Sequence, residues 1–572
     1  MSSRHLNSLI DKLFFRAENQ PDEPLYYFLD SRGREYAHLT YGSLLAAIQR
    51  LGAWLIEKTE SGDRVVIQLP SSPEFVITFF ACLYTNRIPV PLSSPNRQHN
   101  CEHYQRIFAD CDARLVVTDS SVRNLFEKSG VGESHQIETF PSLETLDPIL
   151  AEFNRQSNEI AFLQYTSGST SFPKGVMVSH ENIIANQKMI QRTFGHSTNS
   201  IGLAWVPLFH DMGLIGSVFQ PLYVGFPCYL MSPVTFVQRP KLWFKTISDK
   251  KVTTTGGPNF AYDLCVKRID PASLEGLSLS SWDVAYNGAE HIKLDTLQQF
   301  SEIFSHYGFK KSAFLPCYGL AEATLIVSGA DKSEEPLALT IPCSGDEVLD
   351  ADASQKVGHT RTVVSNGQIM PELSLQIINP QTLTECPSHH IGEIWIAGPS
   401  ITRGYWQKPD KNKEAFVFRD GLRFFRTGDL GFLDSQQRLY ITGRLKDLIV
   451  IDGKNYYPQD IEETVKLSHP ALQEVNCAVF SISGTYSQKL VVVNEVLRRF
   501  YLQIDRYADE IKEAVKTAIY NHYELTVHET VLLPLNTIPK TTSGKIQRQR
   551  TKLLYLLQKL ESIEKVTEVS EG

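Results

Sequence analysis

No stretch of this 572-residue chain is apolar for long enough to span a bilayer. Its most apolar run, Phe75 to Leu92, is broken by Thr85-Asn86-Arg87 and by two prolines. The nine cysteines are scattered, odd in number and contain no C-x-x-C pair. That pattern argues against a disulfide framework and a structural zinc site, and it favours a reducing compartment. Cys386 with His389 and His390 has no second ligand pair at useful spacing and reads as a surface loop. Positive charge is not in excess: the net charge is −8, which argues against nucleic acid or an anionic membrane as the main partner. The one basic cluster, Lys540 to Lys552, reads by itself as a solvated helix face. Met1 to Arg16 is a polar-apolar mix, so no signal peptide is expected and the chain reads as soluble and cytoplasmic. There is no Walker A Gly-Lys-Ser/Thr, no kinase signature and no internal repeat, which leaves a P-loop ATPase or kinase without support.

What is present is core-forming material in quantity. Hydrophobic residues make up 42% and charged residues 21%, ordinary values for a globular protein, and the length calls for two or more domains. Thr40 to Lys58 carries Leu44, Leu45, Ile48, Leu51 and Leu55 on one face, with Thr40 as cap. Asp63 to Pro70 follows as a buried strand, Glu74 to Tyr84 as an apolar helix, and Ala113 to Thr118 as the next strand. Strands alternating with helices predict βαβ units on a mostly parallel sheet. The organising stretch is Gln164-Tyr165-Thr166-Ser167-Gly168-Ser169-Thr170-Ser171-Phe172-Pro173-Lys174-Gly175, flanked by the apolar runs Ile160–Leu163 and Val176–Val178. This spacing predicts strand, loop, strand, the loop turning backbone N–H groups, hydroxyls and one ammonium toward an anion such as a polyphosphate. An ordinary polar turn has the same local pattern.

Three further apolar strands run out into small or polar residues: Ala204 to Gly213, Val284 to Glu290, and Phe314 to Glu322. Ligands in open α/β sheets sit beyond the carboxyl ends of strands, so these ends and the loop are expected to line one cleft. Asp331 to Gln368 has charged and small residues with weak periodicity, and reads as an inserted segment or long loop. Beyond Lys446 the pattern changes to a small α/β piece, with strands at Cys477–Ile482 and Lys489–Val496 and a helix from Tyr507 to His522. A domain boundary is therefore expected at about Leu445–Asp447, dividing 1–445 from 446–572. The chain then runs into a charged helix, Lys552 to Lys565.

Five motifs in order resemble those of the acyl-adenylate-forming superfamily, which joins acyl-CoA synthetases, peptide-synthetase adenylation domains and beetle luciferases. They are Tyr165 to Thr170 with Pro173-Lys174-Gly175; Tyr318-Gly319 with Glu322; Thr427-Gly428-Asp429; Gly443-Arg444 with Lys446-Asp447; and Pro539-Lys540-Thr541 with Ser543-Gly544-Lys545. The resemblance implies a large N-terminal domain of βαβ-type sheets flanked by helices plus a distorted β-barrel, with a small mobile C-terminal α+β domain. It implies ATP and Mg²⁺ as cofactors, and roles follow residue by residue. Thr166, Ser167, Gly168, Ser169, Thr170 and Lys174 would wrap the departing phosphates, and Glu322 would hold Mg²⁺ through hard oxygen. Tyr318, with Gly319 and Ala321 in its motif, would stack on adenine, and the Gly288-Ala289-Glu290 backbone would read the base edge. Asp429 would accept from the ribose hydroxyls, with Arg444 nearby. Lys545 would bridge the α-phosphate and the substrate carboxylate in the transition state. His210, Asp211 and Gly213 would face the acyl substrate, and Lys446 would be the hinge. Singly, Glu322 would be a surface carboxylate, Tyr318 a core aromatic, Lys545 a solvated lysine and His210 a satisfied histidine; together they favour the functional reading.

Within the superfamily, Pro207 to Leu214, Tyr286 to Glu290, Tyr318 to Thr324 and Asp447 to Pro458 resemble the fatty acyl-AMP ligases. Asp331 to Gln368 falls where that subfamily carries an insertion thought to hinder domain rotation and CoA use. The resemblance implies activation of a medium- or long-chain fatty acid as acyl-AMP, then transfer to the phosphopantetheine thiol of an acyl carrier protein in a separate chain. Two departures stand out. Ser171 replaces a usual loop glycine, and Ala321 replaces a threonine common in relatives, although alanine is usual in this subfamily. The alternatives are a fatty acyl-CoA synthetase of the same fold and a nucleotide- or acyl-binding protein without catalysis.

Overall fold

The computed structural model describes residues 7–95, 101–131, 135–150, 159–166, 173–332, 334–343, 360–451, 454–484, 488–541 and 544–563. One mixed sheet of fifteen strands dominates the large N-terminal unit. Its parallel half sets Phe314–Gly319, Val284–Asn287, Thr254–Gly257, Gly202–Ala204, Cys228–Leu230 and Pro24–Leu29 side by side. Its other half continues antiparallel through Ile326–Gly329, Thr360–Ile369, Arg438–Arg444, Leu422–Leu433, Gly392–Ala397 and Ser374–Ile378. Where the resemblance implies a distorted barrel, the strand order among the described residues is an open run. A second, wholly parallel sheet orders Ile88–Pro91, Arg64–Gln68, Ala113–Thr118 and Gln136–Thr139. Helix Tyr41–Lys58 starts at the cap Thr40, whose hydroxyl and that of Ser43 bond each other's backbone N–H.

The apolar patterns became cores. Trp243, Trp282, Tyr262, Phe300 and Phe314 pack beneath the parallel strands without exposure. The smaller C-terminal unit has its own core, to which helix Ile504–Tyr523 contributes Ile504, Ala508, Ile511, Val515 and Ile519, the spacing of one helical face. That helix covers the three-stranded sheet of Cys477–Ser483, Gln488–Glu495 and Val527–Leu533. Among the described residues no helix is long and apolar enough to cross a membrane.

Two readings of texture are corrected. Asp331 to Gln368 is not one loop: Ala338–Pro342 and Thr360–Ile369 inside it form an antiparallel pair, and only 344–359, with position 333, lie outside the described residues. Thr360–Ile369 also pairs with Ile326–Gly329 and Arg438–Arg444, and its middle buries Val363 and Val364. The expected charged helix Lys552 to Lys565 begins earlier, at Arg548, and ends at Leu556.

Candidate active site

The expected loop sits between the antiparallel strands Ile160–Tyr165 and Gly175–Ser179. Thr166 N–H donates to Lys174 O at 3.3 Å across its base. Ser167, Gly168, Ser169 and Thr170, with Ser171, lie outside the described residues. Lys174 Nζ stands 5.0 Å from the centre of the Tyr405 ring. Tyr405 is held there by a bridge to Val176 and by its N–H donating to Asn412 Oδ1 at 2.7 Å. Its hydroxyl donates to Glu322 Oε1 at 2.7 Å. Burial raises the Glu322 carboxyl; the Tyr405 hydroxyl and the charges of Arg444 and Lys174 oppose the rise without cancelling it. Glu322 reaches this place through a tight turn at the end of strand Phe314–Gly319. A Cβ on Gly319 would lie 2.0 Å from Leu325 O, so glycine is needed there. Ala321 is buried in the short 3₁₀ turn Ala321–Ala323 that carries Glu322.

Asp429, 5% exposed, is held at both oxygens. Tyr318 Oη–H donates to Oδ2 at 2.7 Å, and Arg444 Nε lies 2.9 Å from Oδ1. Sheet register supplies the second contact, since Asp429 and Arg444 face each other on neighbouring strands. The Asp429 charge is the main reason the Arg444 guanidinium is held above its ordinary range. The strand end expected to read the base is shaped by packing. A Cβ on Gly288 would come within 2.8 Å of Cys317 Sγ, and Ala289 takes φ 68°. Glu290 turns its Oε1 to accept from Phe260 N–H at 2.6 Å, in the first turn of helix Asn259–Arg268.

His210 Nδ1 is 2.6 Å from Asp211 Oδ1, and Met212 N–H donates to the same oxygen at 2.7 Å. This partner assigns the ring proton to Nδ1 and leaves Nε2 for the cleft. Burial raises Asp211, but the charge and hydrogen bond of His210, the Met212 amide and the charge of Lys545 together hold it below the ordinary carboxylate range. Gln164 ties this corner to the loop strand, its Nε2 donating to Phe209 O at 3.0 Å. Gly213 has a packing reason, since a Cβ there would meet Pro207 O at 2.1 Å.

Lys545 arrives from the C-terminal unit on a turn in which Thr541 N–H donates to Lys545 O at 2.8 Å and Lys545 N–H to Thr541 Oγ1 at 3.0 Å. Burial and Arg444 lower its ammonium, while Asp211, Glu290 and Asp429 pull the other way. One cleft of about 2980 Å³ is lined by Thr166, Lys174, His210, Asp211, Ala289, Glu290, Tyr318, Gly319, Ala321, Glu322, Asp429, Arg444, Lys446 and Lys545. The described nucleotide, substrate and hinge residues thus meet, apart from Gly288 and Gly213, which act as backbone spacers. Lys446 lies in the 3₁₀ turn Leu445–Asp447, where Gln549 Nε2 donates to Lys446 O at 2.9 Å and to Asp447 Oδ1 at 3.0 Å.

Sequence reasoning missed two elements. Tyr405 stood in Gly404-Tyr405-Trp406, where nothing local announces a partner for Glu322. The second is a contact between the units. Arg361 Nη1 lies 2.9 Å from Asp460 Oδ2 and its guanidinium stacks 3.9 Å over the Tyr457 ring, while Lys293 Nζ lies 2.7 Å from Glu463 Oε2. Burial pushes Asp460 up to about 6 even with Arg361 beside it. Such pairs join residues far apart in sequence, and only the fold reveals them.

A family profile described as AMP-binding enzyme matches residues 13–406, and one described as Disco-interacting protein 2-like, AMP domain, matches 446–565. The chain is 36% identical to the medium-chain-fatty-acid–[acyl-carrier-protein] ligase JamA of Moorena producens, over 97% of this chain and 96% of that protein. It is similar to a structure described in a study of fatty acyl-adenylate ligases from E. coli and L. pneumophila, with 29% identity, a TM-score of 0.87, and 96% and 98% of the two chains covered. A fatty acyl-adenylate ligase from L. pneumophila in complex with acyl adenylate and pyrophosphate gives 36% identity and a TM-score of 0.74, over 98% and 97%. The protein therefore belongs to the AMP-binding, adenylate-forming enzymes, in their fatty acyl-AMP ligase branch.

Proposed function

We propose that the chain joins a medium- or long-chain fatty acid to AMP with MgATP, and then gives the acyl group to the phosphopantetheine thiol of a separate carrier protein. The observation that carries this reading is the convergence of Lys545, from the C-terminal unit, on the cleft that also holds Asp429, Glu322 and the His210–Asp211 pair. In the first step a carboxylate oxygen attacks the α-phosphorus, the bond to the β-phosphate oxygen breaks, and pyrophosphate leaves with that electron pair. No proton moves. Lys545 neutralises charge gathering between carboxylate and α-phosphate, and Lys174 does so at the leaving end. Tyr318, Asp429 and Arg444 hold the nucleoside. In the second step the thiol sulfur bonds the acyl carbon, AMP leaves, and His210 Nε2 takes the thiol proton.

The residues present fit a magnesium ion. Glu322 offers a carboxylate oriented by Tyr405, and the described residues contain no group of three or more His, Cys, Asp or Glu that would make a protein cage. One carboxylate completed by phosphate oxygens is how this hard cation is usually held, and it supplies charge neutralisation on the phosphates. The boundary falls at Leu445/Lys446, with Lys446 the pivot that exchanges Lys545 for the segment after Ile451; Asp452 and Gly453 lie outside the described residues. Nine free thiols support the cytoplasmic reading. The names of JamA and of the acyl-adenylate ligases support the substrate and carrier assignments. Incubating the protein with ATP, Mg²⁺ and saturated acids from butyrate to palmitate should yield acyl-AMP and stoichiometric pyrophosphate. Pyrophosphate from no fatty acid would overturn the reading.

A further inference from the structure

The cleft does not stop at the adenylate site. It continues inward between helix His180–Phe194, the π-helical turn Ile215–Phe219 and the sheet, lined by Ile190, Phe194, Gly216, Tyr286, Leu325 and Ile326. Gly216 contributes no side chain to this lining. Within 4 Å a Cβ built there would meet only Leu325 Cδ2, at an ordinary contact distance of 3.9 Å, so a side chain could be added without an immediate clash. The residue lies in the π-helical turn, a feature frequent at functional sites.

The inner end has a different chemistry. Gly202, Cys228 and Thr254 lie in register at the amino ends of three parallel strands, and all three line the cavity with Phe226 and His196. His196, 8% exposed, has Nε2 3.1 Å from Thr254 Oγ1 and Nδ1 3.3 Å from the Gln220 amide. With the Gln220 amide turned so that its oxygen faces His196, Nδ1–H donates to Gln220 and Nε2 accepts from the Thr254 hydroxyl. Phe194 and Phe226 flank the ring at 5.3 and 5.0 Å between centres. Nothing in the proposed chemistry uses this histidine. It is a rigid, uncharged stop whose polar atoms are already paired.

We infer that Gly216 and the His196–Thr254 pair set the acyl-chain length, the first by leaving the channel open and the second by closing it. This rests on the fatty-acid reading above. From Thr254 to the level of Gly288, beyond the end of the neighbouring strand, the sheet advances four residues. At a rise of ~3.3 Å per residue that is about 13 Å, and an extended alkyl chain, whose carbon–carbon bonds of about 1.5 Å advance by somewhat less than their length, fills it with about 10 carbons. The substrate class is therefore a straight medium-chain acid.

The test is acyl-AMP formation over the even acids from hexanoate to palmitate, with kcat/KM measured at each length. The native enzyme should peak at octanoate or decanoate. Gly216→Ile should lower decanoate against hexanoate by roughly 10² while hexanoate is still turned over, the scale at which one misfitted apolar group discriminates. His196→Ala should raise dodecanoate against decanoate by about tenfold. If Gly216→Ile fails to fold, judged by its melting curve, His196→Ala decides alone. A native optimum at palmitate, or unchanged length profiles in the folded variants, would overturn the channel assignment while leaving acyl-AMP synthesis intact. Absence of acyl-AMP at every length would instead overturn the fatty-acid reading itself.

Discussion

Replacing Tyr405 by phenylalanine removes a single hydroxyl, the one that donates to Glu322 Oε1 at 2.7 Å. The ring remains, so the stacking of Lys174 over it is kept. A hydrogen bond to an ionised group contributes about 1.5–3 kcal/mol, and one pKa unit corresponds to about 1.36 kcal/mol. This bond favours the charged form of Glu322, so its loss raises a carboxyl that burial already lifts. The acid limb of the pH–rate profile should therefore move upward. On the acid side of the profile pyrophosphate release should fall below the native enzyme's, with recovery as the pH rises. The Mg²⁺ concentration for half-maximal rate should rise in parallel, because a proton and the metal compete for the same oxygens. The assay is pyrophosphate release against pH and Mg²⁺, with melting curves as the control for folding. A Tyr405→Phe enzyme with native pH and Mg²⁺ profiles would refute the claim that this hydroxyl holds Glu322 for the metal.

Other consequences are as definite. Lys545→Ala should lower acyl-AMP formation by roughly 10²–10³-fold and leave the melting temperature unchanged, because the side chain serves charge in the cleft rather than a core; an equal loss of stability would contradict this. Lys446→Pro should leave adenylation intact and slow acyl transfer, and equal loss of both steps would count against the pivot. Deleting 344–359 should admit CoA as acceptor if the insertion restrains the C-terminal unit. A cut over all of 331–368 would confound that test by removing the strand Thr360–Ile369 from the sheet. Burial, with Lys332, lowers His196 to about 3. Below the ordinary histidine value the unfolded chain binds a proton that the buried His196 refuses in the fold, so stability falls as pH drops from about 6.5, by about 2 kcal/mol at pH 5. Thermal denaturation should show this slope, and His196→Gln should flatten it.

Much of this fold was legible because its periods are strong. The strand Ala113–Thr118 was readable to the residue, and the Thr40 cap declared itself through its hydroxyl. The site was legible where a motif holds its chemistry within a few residues, as at Tyr318, Glu322, Asp429 and Lys545. It was illegible where a partner comes from far along the chain. Tyr405 lies 83 residues from Glu322, and Asp460 lies 99 from Arg361. Asp331 to Gln368 misled for a different reason. The middle of Thr360–Ile369 is buried on both faces, through five consecutive positions, so the alternation of inward and outward residues that marks a half-exposed strand is absent there. Glycines divided likewise: Gly213 and Gly288 resemble contact residues in sequence, but the structure shows them as places where a Cβ would strike backbone or sulfur.

The central claim is that an acyl-adenylate made in this cleft is destined for a carrier-bound thiol. The most direct test offers the enzyme ATP, Mg²⁺ and decanoate with equal thiol concentrations of CoA and a phosphopantetheinylated acyl carrier protein, and follows acyl-AMP, acyl-CoA and acyl-carrier by mass spectrometry. The account predicts early acyl-AMP, then acyl-carrier, with little acyl-CoA. Acyl-CoA as the main product would contradict it and make the chain an acyl-CoA synthetase on the same fold.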